Sequence, residues 1–504
     1  MKRREFIKTT LGSVFLGNMG CSLNTVPSYG KQKNKRPNIL WIMMDDCRAD
    51  AVGCYGRGWV KTPNMDAIAQ QGTRFQTAIV QNPVCVPSRT SMKTGRYPHE
   101  FGIMAMGKPP TIPEPYINQH KIDTINKTPT LLDHWKQIGI PTVNVGKIHA
   151  FRDVWTRRGE KQALIDVFGN TREKKDQKRF EQFSQNNPHP TVKTKTHQWM
   201  IGGVVPVEPE ETQTWRLGDI AVKTLGELSA SDKPFFLRVS FHAPHVPCRV
   251  PKSYMIDPKT INLPLPDETE LKSKPRFERE CLQVYAGGLD LNREQIDTCR
   301  GTYYGMVSLV DDQVGRLVEV LKKTGKLKNT IIAINADQGF QLGEHGLWKK
   351  RVFYEQNVCV PFIISCPRLL PANKVIDEPV EMVDFLPTLM DLSDLKPPDS
   401  IRGRSLMPLI RGEVKKWREA CFCEIDHSRS MYDELRRGTG RRVMVRTKEW
   451  KLIFFMDKRV ADKDGALYNL IKDPDEKENL YSKPKYKNIV KHLEGLAEDW
   501  DKKI

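Results

Sequence analysis

Apolar residues along this chain gather into short, nearly unbroken runs separated by stretches of helical spacing. That pattern belongs to strands buried on both faces of a parallel sheet, with helices packed against them. Asn38–Met44 and Thr330–Ala336 are the clearest runs, 235–241 is a third, and 75–80 and 141–146 are shorter strands between them. Helices are expected at 62–72, 85–95, 130–139, 214–228 and 301–322. The first two and 130–139 run into a glycine stop, and 301–322 carries a stripe of Val307, Val310, Val314, Leu317 and Leu321. A further helix fits 383–395. Beyond Pro397, Pro398, Gly403 and Gly412 the pattern changes to short strands at 421–424, 442–446 and 451–455, then a last helix at 485–500. The expected architecture is α/β: a mostly parallel mixed sheet between helices, with a smaller C-terminal α+β domain built on an antiparallel sheet.

A chain of 504 residues with 39% hydrophobic content can bury a core large enough for a main domain of residues 36–410 and a smaller one of 411–504. Residues 151–215 are charged and broken by prolines, and read as a substrate-facing insertion or loop. The formal charge of +19 suits a polyanionic partner: nucleic acid, an anionic membrane surface or a sulfated glycan. No zinc-finger spacing, RNP-like aromatic segment or basic zipper appears, so nucleic acid is the weaker choice. The start, with Arg3-Arg4-x-Phe6 before a short apolar run, reads as a twin-arginine-like export signal over 1–21, and 22–35 as a polar tether. The protein is therefore expected outside the cytoplasm, periplasmic or at the cell surface. Cys21 is placed to accept a lipid, although Asn18 stands where lipoprotein signals usually carry Leu. No membrane span is expected in the mature part, and eleven scattered cysteines do not form a disulfide framework.

Charged residues collect where the expected strands end. Asp45-Asp46 follow Asn38–Met44, and Asp337-Gln338 follow Thr330–Ala336. Open α/β sheets bind ligands at such ends, and hard oxygens there favour Ca²⁺ or Mg²⁺, although an isolated Asp-Asp serves equally well as a helix cap or turn. Lys147 and His149 lie two apart on an extended segment and point the same way; His242 and His245 bracket a proline after 235–241; Lys349 and Lys350 follow His345 in a loop. Taken singly, each of these has an ordinary structural reading. Cys85-Val86-Pro87-Ser88-Arg89 opens the helix at 85–95 and puts a thiol and a guanidinium one turn apart on one face.

Read together, these segments resemble the type I, formylglycine-dependent sulfatases. Cys85-x-Pro87-Ser88-Arg89-x-x-x-x-Thr94-Gly95 matches the family signature at every fixed position. Gly146-Lys147-x-His149, His242-x-x-His245-x-Pro247 and Gly343-Glu344-His345-Gly346 follow in family order, the last closest to the iduronate-2-sulfatase-like branch. The resemblance implies an alkaline-phosphatase-like fold and a sulfatase acting on a sulfated carbohydrate. It implies Cys85 oxidised to formylglycine by a maturation enzyme, with Ca²⁺, ahead of Mg²⁺, held by Asp45, Asp46, Asp337, Gln338 and the modified Cys85. Arg89 would stabilise the nucleophile, Lys147, His245 and Lys350 would clamp the sulfate, His245 or Lys350 would protonate the leaving alcohol, His149 would assist turnover, and His242 and His345 would support substrate binding. Gln338 departs from the His or Asn usual at that point. A phosphoesterase of the same superfamily and a non-catalytic glycan-binding protein are the alternatives from other classes.

Overall fold

Two neighbouring strands, Asn38–Met44 and Thr330–Ala336, form the middle of a seven-stranded sheet, and every residue of both is buried. The order across the sheet is Lys374–Ile376, Thr73–Phe75, Phe362–Ser365, Thr330–Ala336, Asn38–Met44, Phe236–Ser240 and Thr142–Gly146. Six strands run one way and only Phe362–Ser365 is reversed. The sheet is thus mixed and mostly parallel, as its unbroken apolar strands require. This computed structural model describes residues 36–104, 124, 127–148, 192–193, 200–279, 291–426, 440–456 and 464–504. His149, Cys21, the expected export signal and the tether lie outside the described residues.

Helices Pro63–Gln70, Gln213–Ser229, Arg293–Lys323 and Phe385–Leu392 pack with the sheet in one contiguous core. Arg293–Lys323 begins eight residues before the helix expected at 301–322. Its start is set by a reciprocal cap, in which Asn292 Oδ1 accepts from Gln295 N (2.9 Å) and Gln295 Oε1 accepts from Asn292 N (3.0 Å). That opening turn is polar, so hydrophobic spacing alone does not reveal it. The strand expected over 75–80 is two: Thr73–Phe75 joins the main sheet, and Ala78–Ile79 joins a small sheet with Cys359–Val360 and Val380–Glu381. Gln76 marks the change, its N–H turning to Ile376 O (2.8 Å). Within 151–215, Met200–Val205 is a strand paired in parallel with Cys248–Pro251.

The C-terminal part carries a four-stranded antiparallel sheet, Cys421–Asp426, Arg441–Arg446, Trp450–Phe455 and Ala466–Asn469, covered by helix Lys487–Lys502. Trp500 on that helix stacks on Phe422 (4.7 Å, 6°) and meets Tyr97 edge-on (5.0 Å). Residues 35–504 form one compact unit. Among the described residues no helix is long and apolar enough to cross a membrane, and nine cysteines are free thiols.

The sheet is tied to the body by Glu424, fully buried, which accepts from Arg441 Nε (2.6 Å) and His99 N (3.0 Å). Burial raises its carboxyl, but Arg441 and His99 outweigh burial and hold it at about 2, below the ordinary 4.5. A carboxyl held low in the fold stabilises above its ordinary range and loses that contribution as pH falls toward the folded value. Glu424→Gln is therefore expected to be less stable than the parent at pH 6, with the gap closing as pH falls from about 4.5 toward 2. Denaturant unfolding across that range measures it, and a gap that does not change with pH refutes the assignment.

Candidate active site

The register of the two central strands builds the site. Met44 lies opposite Ala336, so the chain leaves both strands at the same edge and delivers Asp45, Asp46 and Asp337 side by side, all fully buried. Asp46 turns through a left-handed conformation (φ 63°), which Asp tolerates better than most residues. Its N–H donates to Asp337 Oδ1 (3.0 Å), and its carbonyl accepts from Tyr303 OH (2.7 Å). Gln338 N donates to the same Asp337 oxygen (3.0 Å). Gly339 must be glycine here, because a Cβ would stand 1.9 Å from Gln356 O.

Helix Cys85–Thr94 is buried along its whole length and starts against these carboxylates. It ends at Gly95, left-handed at φ 65°, whose carbonyl is held by Arg402 N (2.8 Å). Cys85 Sγ lies 3.6 Å from Asp45 Oδ1 and 3.9 Å from Asp46 Oδ1. One turn on, Arg89 Nε donates to Asp337 Oδ2 (2.5 Å), Nη2 faces Asp45 Oδ1 (3.3 Å), and Nη1 reaches Ser240 Oγ (3.0 Å) and Lys147 O (3.3 Å). Ser88 Oγ donates to Asp337 O.

Cations and histidines close the site from other segments. Lys147, immediately after strand Thr142–Gly146, donates through Nζ to Asp45 Oδ2. Lys350 Nζ donates to Asp46 Oδ1 (2.6 Å) and lies 2.8 Å from Cys85 Sγ. His242 Nδ1 is 3.4 Å from Asp45 Oδ2, His245 Nε2 is 3.5 Å from Asp46 Oδ2, and the two rings lie 4.8 Å apart. His245 Nδ1 is 2.7 Å from Val246 O, which fixes Nδ1 as the protonated nitrogen and leaves Nε2 facing the site. The structure thus gathers Asp45, Asp46, Cys85, Arg89, Lys147, His242, His245, Asp337, Gln338 and Lys350. His345 is elsewhere: it is bound to Glu270 (2.7 Å) and stacked on Tyr354.

Three carboxylates meet three fixed cations here. Burial raises Asp45, but Lys147, His245, Arg89 and Lys350 together take it well below the usual carboxylate range. Burial dominates at Asp337, pushed up to about 6 despite Arg89, with Asp45 and Asp46 adding to the rise. Burial also pushes the Cys85 thiol up to about 12 and brings His242 down to about 4. Lys350 is also opposed by burial, yet Asp46, Cys85 and Asp45 raise it above the ordinary lysine range.

The donor set suits a hard divalent cation. Its side chains offer oxygens, and two buried ones, Asp46 Oδ2 and Gln338 Oε1, accept no hydrogen bond from the protein. The Gln338 amide meets Asp46 Oδ1 and Cys85 Sγ (3.1 Å) through Nε2, and half a turn about its last bond presents Oε1 there instead. Asp45, Cys85 and Asp337 also bring their ligand atoms within 4.8 Å of one another.

Two supporting residues escape sequence reasoning. Arg238 lies mid-strand, buried over the Trp41 ring (4.7 Å), and donates to Asn144 Oδ1 (3.0 Å) and Lys147 O (3.2 Å). Ser240, two residues on, receives Arg89. A buried arginine within an apolar strand is the one signal in the sequence that something must be held there.

Comparison with known proteins agrees with this geometry. A family model described as Sulfatase matches residues 37–395, and one described as N-sulphoglucosamine sulphohydrolase, C-terminal, matches 343–503. An arylsulfatase of Clostridium perfringens is 28% identical over 490 residues, covering 92% of this chain and 96% of its own. An N-acetylglucosamine-6-O-sulfatase of Bacteroides thetaiotaomicron is 26% identical over 541 residues, with 99% and 92% covered. Among solved structures, a phosphonate monoester hydrolase from Silicibacter pomeroyi superposes with a TM-score of 0.76 at 22% identity, covering 93% of this chain and 96% of that one, a likeness that speaks for the alkaline-phosphatase-like fold. Since the first family model takes in both central strands and the Cys85 helix, the chain belongs to the sulfatase family, as a type I sulfatase and sulfuric ester hydrolase.

Proposed function

We propose that the protein hydrolyses sulfate esters of a carbohydrate, with a nucleophile made from Cys85. The observation that carries this reading is the position of Cys85 Sγ, at the meeting point of Asp45, Asp46, Gln338 and Lys350 with Arg89 one turn behind. A thiol held near 12 is protonated at neutral pH and a poor nucleophile, which favours a modified residue over a thiolate. Formylglycine at this position would supply a hydrated aldehyde whose hydroxyl serves as the nucleophile toward sulfur. Ca²⁺ held by Asp45, Asp46, Asp337 and Gln338 supplies Lewis-acid stabilisation of the charge that develops on oxygen.

The protein's own groups do the rest. Arg89 orients the nucleophile and Asp337 together. Three carboxylates balanced by three cations become net positive once a divalent ion is bound, which suits an anionic sulfate. Lys147 and Lys350 reach the non-bridging oxygens. His245 Nδ1 donates to Val246 O, and Lys350, kept protonated by Asp46, Cys85 and Asp45, holds the proton for the leaving alcohol. His149 is assigned to turnover of the nucleophile and His242 to supporting Asp45 (3.4 Å). The relative acting on N-acetylglucosamine 6-O-sulfate and the +19 charge support a sulfated glycan as substrate. The N-terminal sequence supports an exported enzyme, lipid-anchored if Cys21 is modified.

Three outcomes test this reading. The purified protein is expected to turn over 4-nitrophenyl sulfate, and members of a panel of sulfated mono- and oligosaccharides, faster than the matching phosphate and phosphonate esters; the reverse order would install a phosphorus-ester hydrolase instead. The Cys85 peptide of active enzyme is expected to have the mass of an aldehyde, and Cys85→Ala to lose at least about 10³-fold in kcat. A thiol mass with full activity, or an active Cys85→Ala, rejects the nucleophile. Chelation is expected to abolish activity and lower Tm, with Ca²⁺ restoring both better than Mg²⁺ and Asp337→Ala not restored; chelator-resistant activity removes the metal.

A further inference from the structure

Lys350 sits in a backbone that resists its own conformation. Its neighbours Lys349 (φ 97°) and Arg351 (φ 85°) are both left-handed, and so is His345 (φ 58°) at the start of the same loop. Left-handed backbone is unfavourable for any residue but glycine, and strain of this kind persists only where surrounding contacts over-determine the chain. A short hairpin supplies part of the restraint: Gln341–Leu342 pairs with Trp348–Lys349, and Glu344 caps it by accepting from Leu342 N (2.8 Å) and Arg48 Nη1 (2.7 Å). That hairpin stops before Lys350.

Asn357 Nδ2 also donates to Lys349 O (3.3 Å), and further restraint comes from outside the loop. His345 and Tyr354, which bracket Lys350 in sequence, lie face to face with ring centres 3.7 Å apart and planes 6° off parallel. Both rings are fastened to one short segment. Glu270 Oε1 lies 2.7 Å from His345 Nδ1, and Lys274 Nζ donates to Tyr354 OH (2.7 Å) while pairing with Glu270 (3.1 Å) and lying 4.0 Å from Glu278, which accepts from Tyr354 OH. Lys274 is 3% exposed. Burying an ammonium costs several kcal/mol unless it is fully paired, and here the charge is spent on none of the groups around Cys85.

We propose that the His345–Tyr354 stack, locked by Lys274 and Glu270, is a clamp that positions Lys350 for proton transfer to the leaving group. His345 is then a positioning residue, and it closes the loop whose middle reaches Cys85. The inference rests on the reading of Lys350 as proton donor given above. Joining the two ends of a strained loop restricts where its middle can go, and a proton donor displaced by about 1 Å forfeits a large part of its effect.

The test uses His345→Asn, which keeps a residue tolerant of the left-handed backbone but removes the ring, in the full-length matured enzyme. Proton donation matters most for a poor leaving group. His345→Asn is expected to lower kcat on an alkyl sulfate about tenfold or more, and on 4-nitrophenyl sulfate less than about threefold, with KM little changed. The double variant His345→Asn/Lys350→Ala is expected to be no slower than Lys350→Ala alone. If His345→Asn does not fold, Tyr354→Phe, which keeps the stack but breaks the contacts to Lys274 and Glu278, is expected to show the same leaving-group split at smaller amplitude. Equal losses on both substrates overturn the clamp. A slow Lys350→Ala whose defect adds to that of His345→Asn overturns the clamp alone, whereas a Lys350→Ala with full alkyl sulfate turnover removes the reading of Lys350 and the clamp with it.

Discussion

Asp45, Asp46 and Asp337 are brought together by the register of two central strands and buried completely, where an uncompensated carboxylate costs several kcal/mol. The rest of the site answers that cost. Arg89 is the first answer, because its guanidinium spans Asp337 (2.5 Å) and Asp45 (3.3 Å) and is itself buried. Its position follows from the helix that begins at Cys85, so the neutralising cation and the Cys85 side chain are placed by one rigid element. Lys147 and Lys350 complete the charge balance from segments far apart in sequence.

That arrangement makes the site a property of the whole body. Arg238 reaches across from a neighbouring strand to hold Lys147 O, and Arg402 holds Gly95 O at the far end of the Cys85 helix. Tyr303, from the long helix Arg293–Lys323, holds Asp46 O. Each contact has a defined partner, and such contacts restrict the chain to one arrangement where apolar packing alone would accept several.

Much of this was legible in the sequence, for identifiable reasons. Asn38–Met44 and Thr330–Ala336 are read directly because a strand buried on both faces leaves no polar alternation, and the carboxylates that end them follow at once. The same logic finds Cys85 and Arg89, one helical turn apart. Arg238 and Ser240 were not singled out, because a strand residue's role depends on what lies across the sheet, and that is fixed by long-range pairing. The split of 75–80 into two strands was hidden for a related reason: Gln76 turns to Ile376, three hundred residues away. His345 is legible as a motif residue but not in its role, since Glu270 and Tyr354 define its surroundings.

Cys85 lies at the inner end of a helix whose ten residues are all buried, with 1% of its own surface exposed. Another protein cannot reach that thiol once the helix is packed against the carboxylates that end the two central strands and the segments that cover them. Any enzyme that oxidises Cys85 must therefore work on a chain still open, and a molecule that folds first keeps its thiol for good. If Cys85 is the precursor of the nucleophile, the fraction of active molecules in a preparation is decided by a race between modification and folding. Protein of identical sequence and stability can differ in specific activity according to how fast it was made.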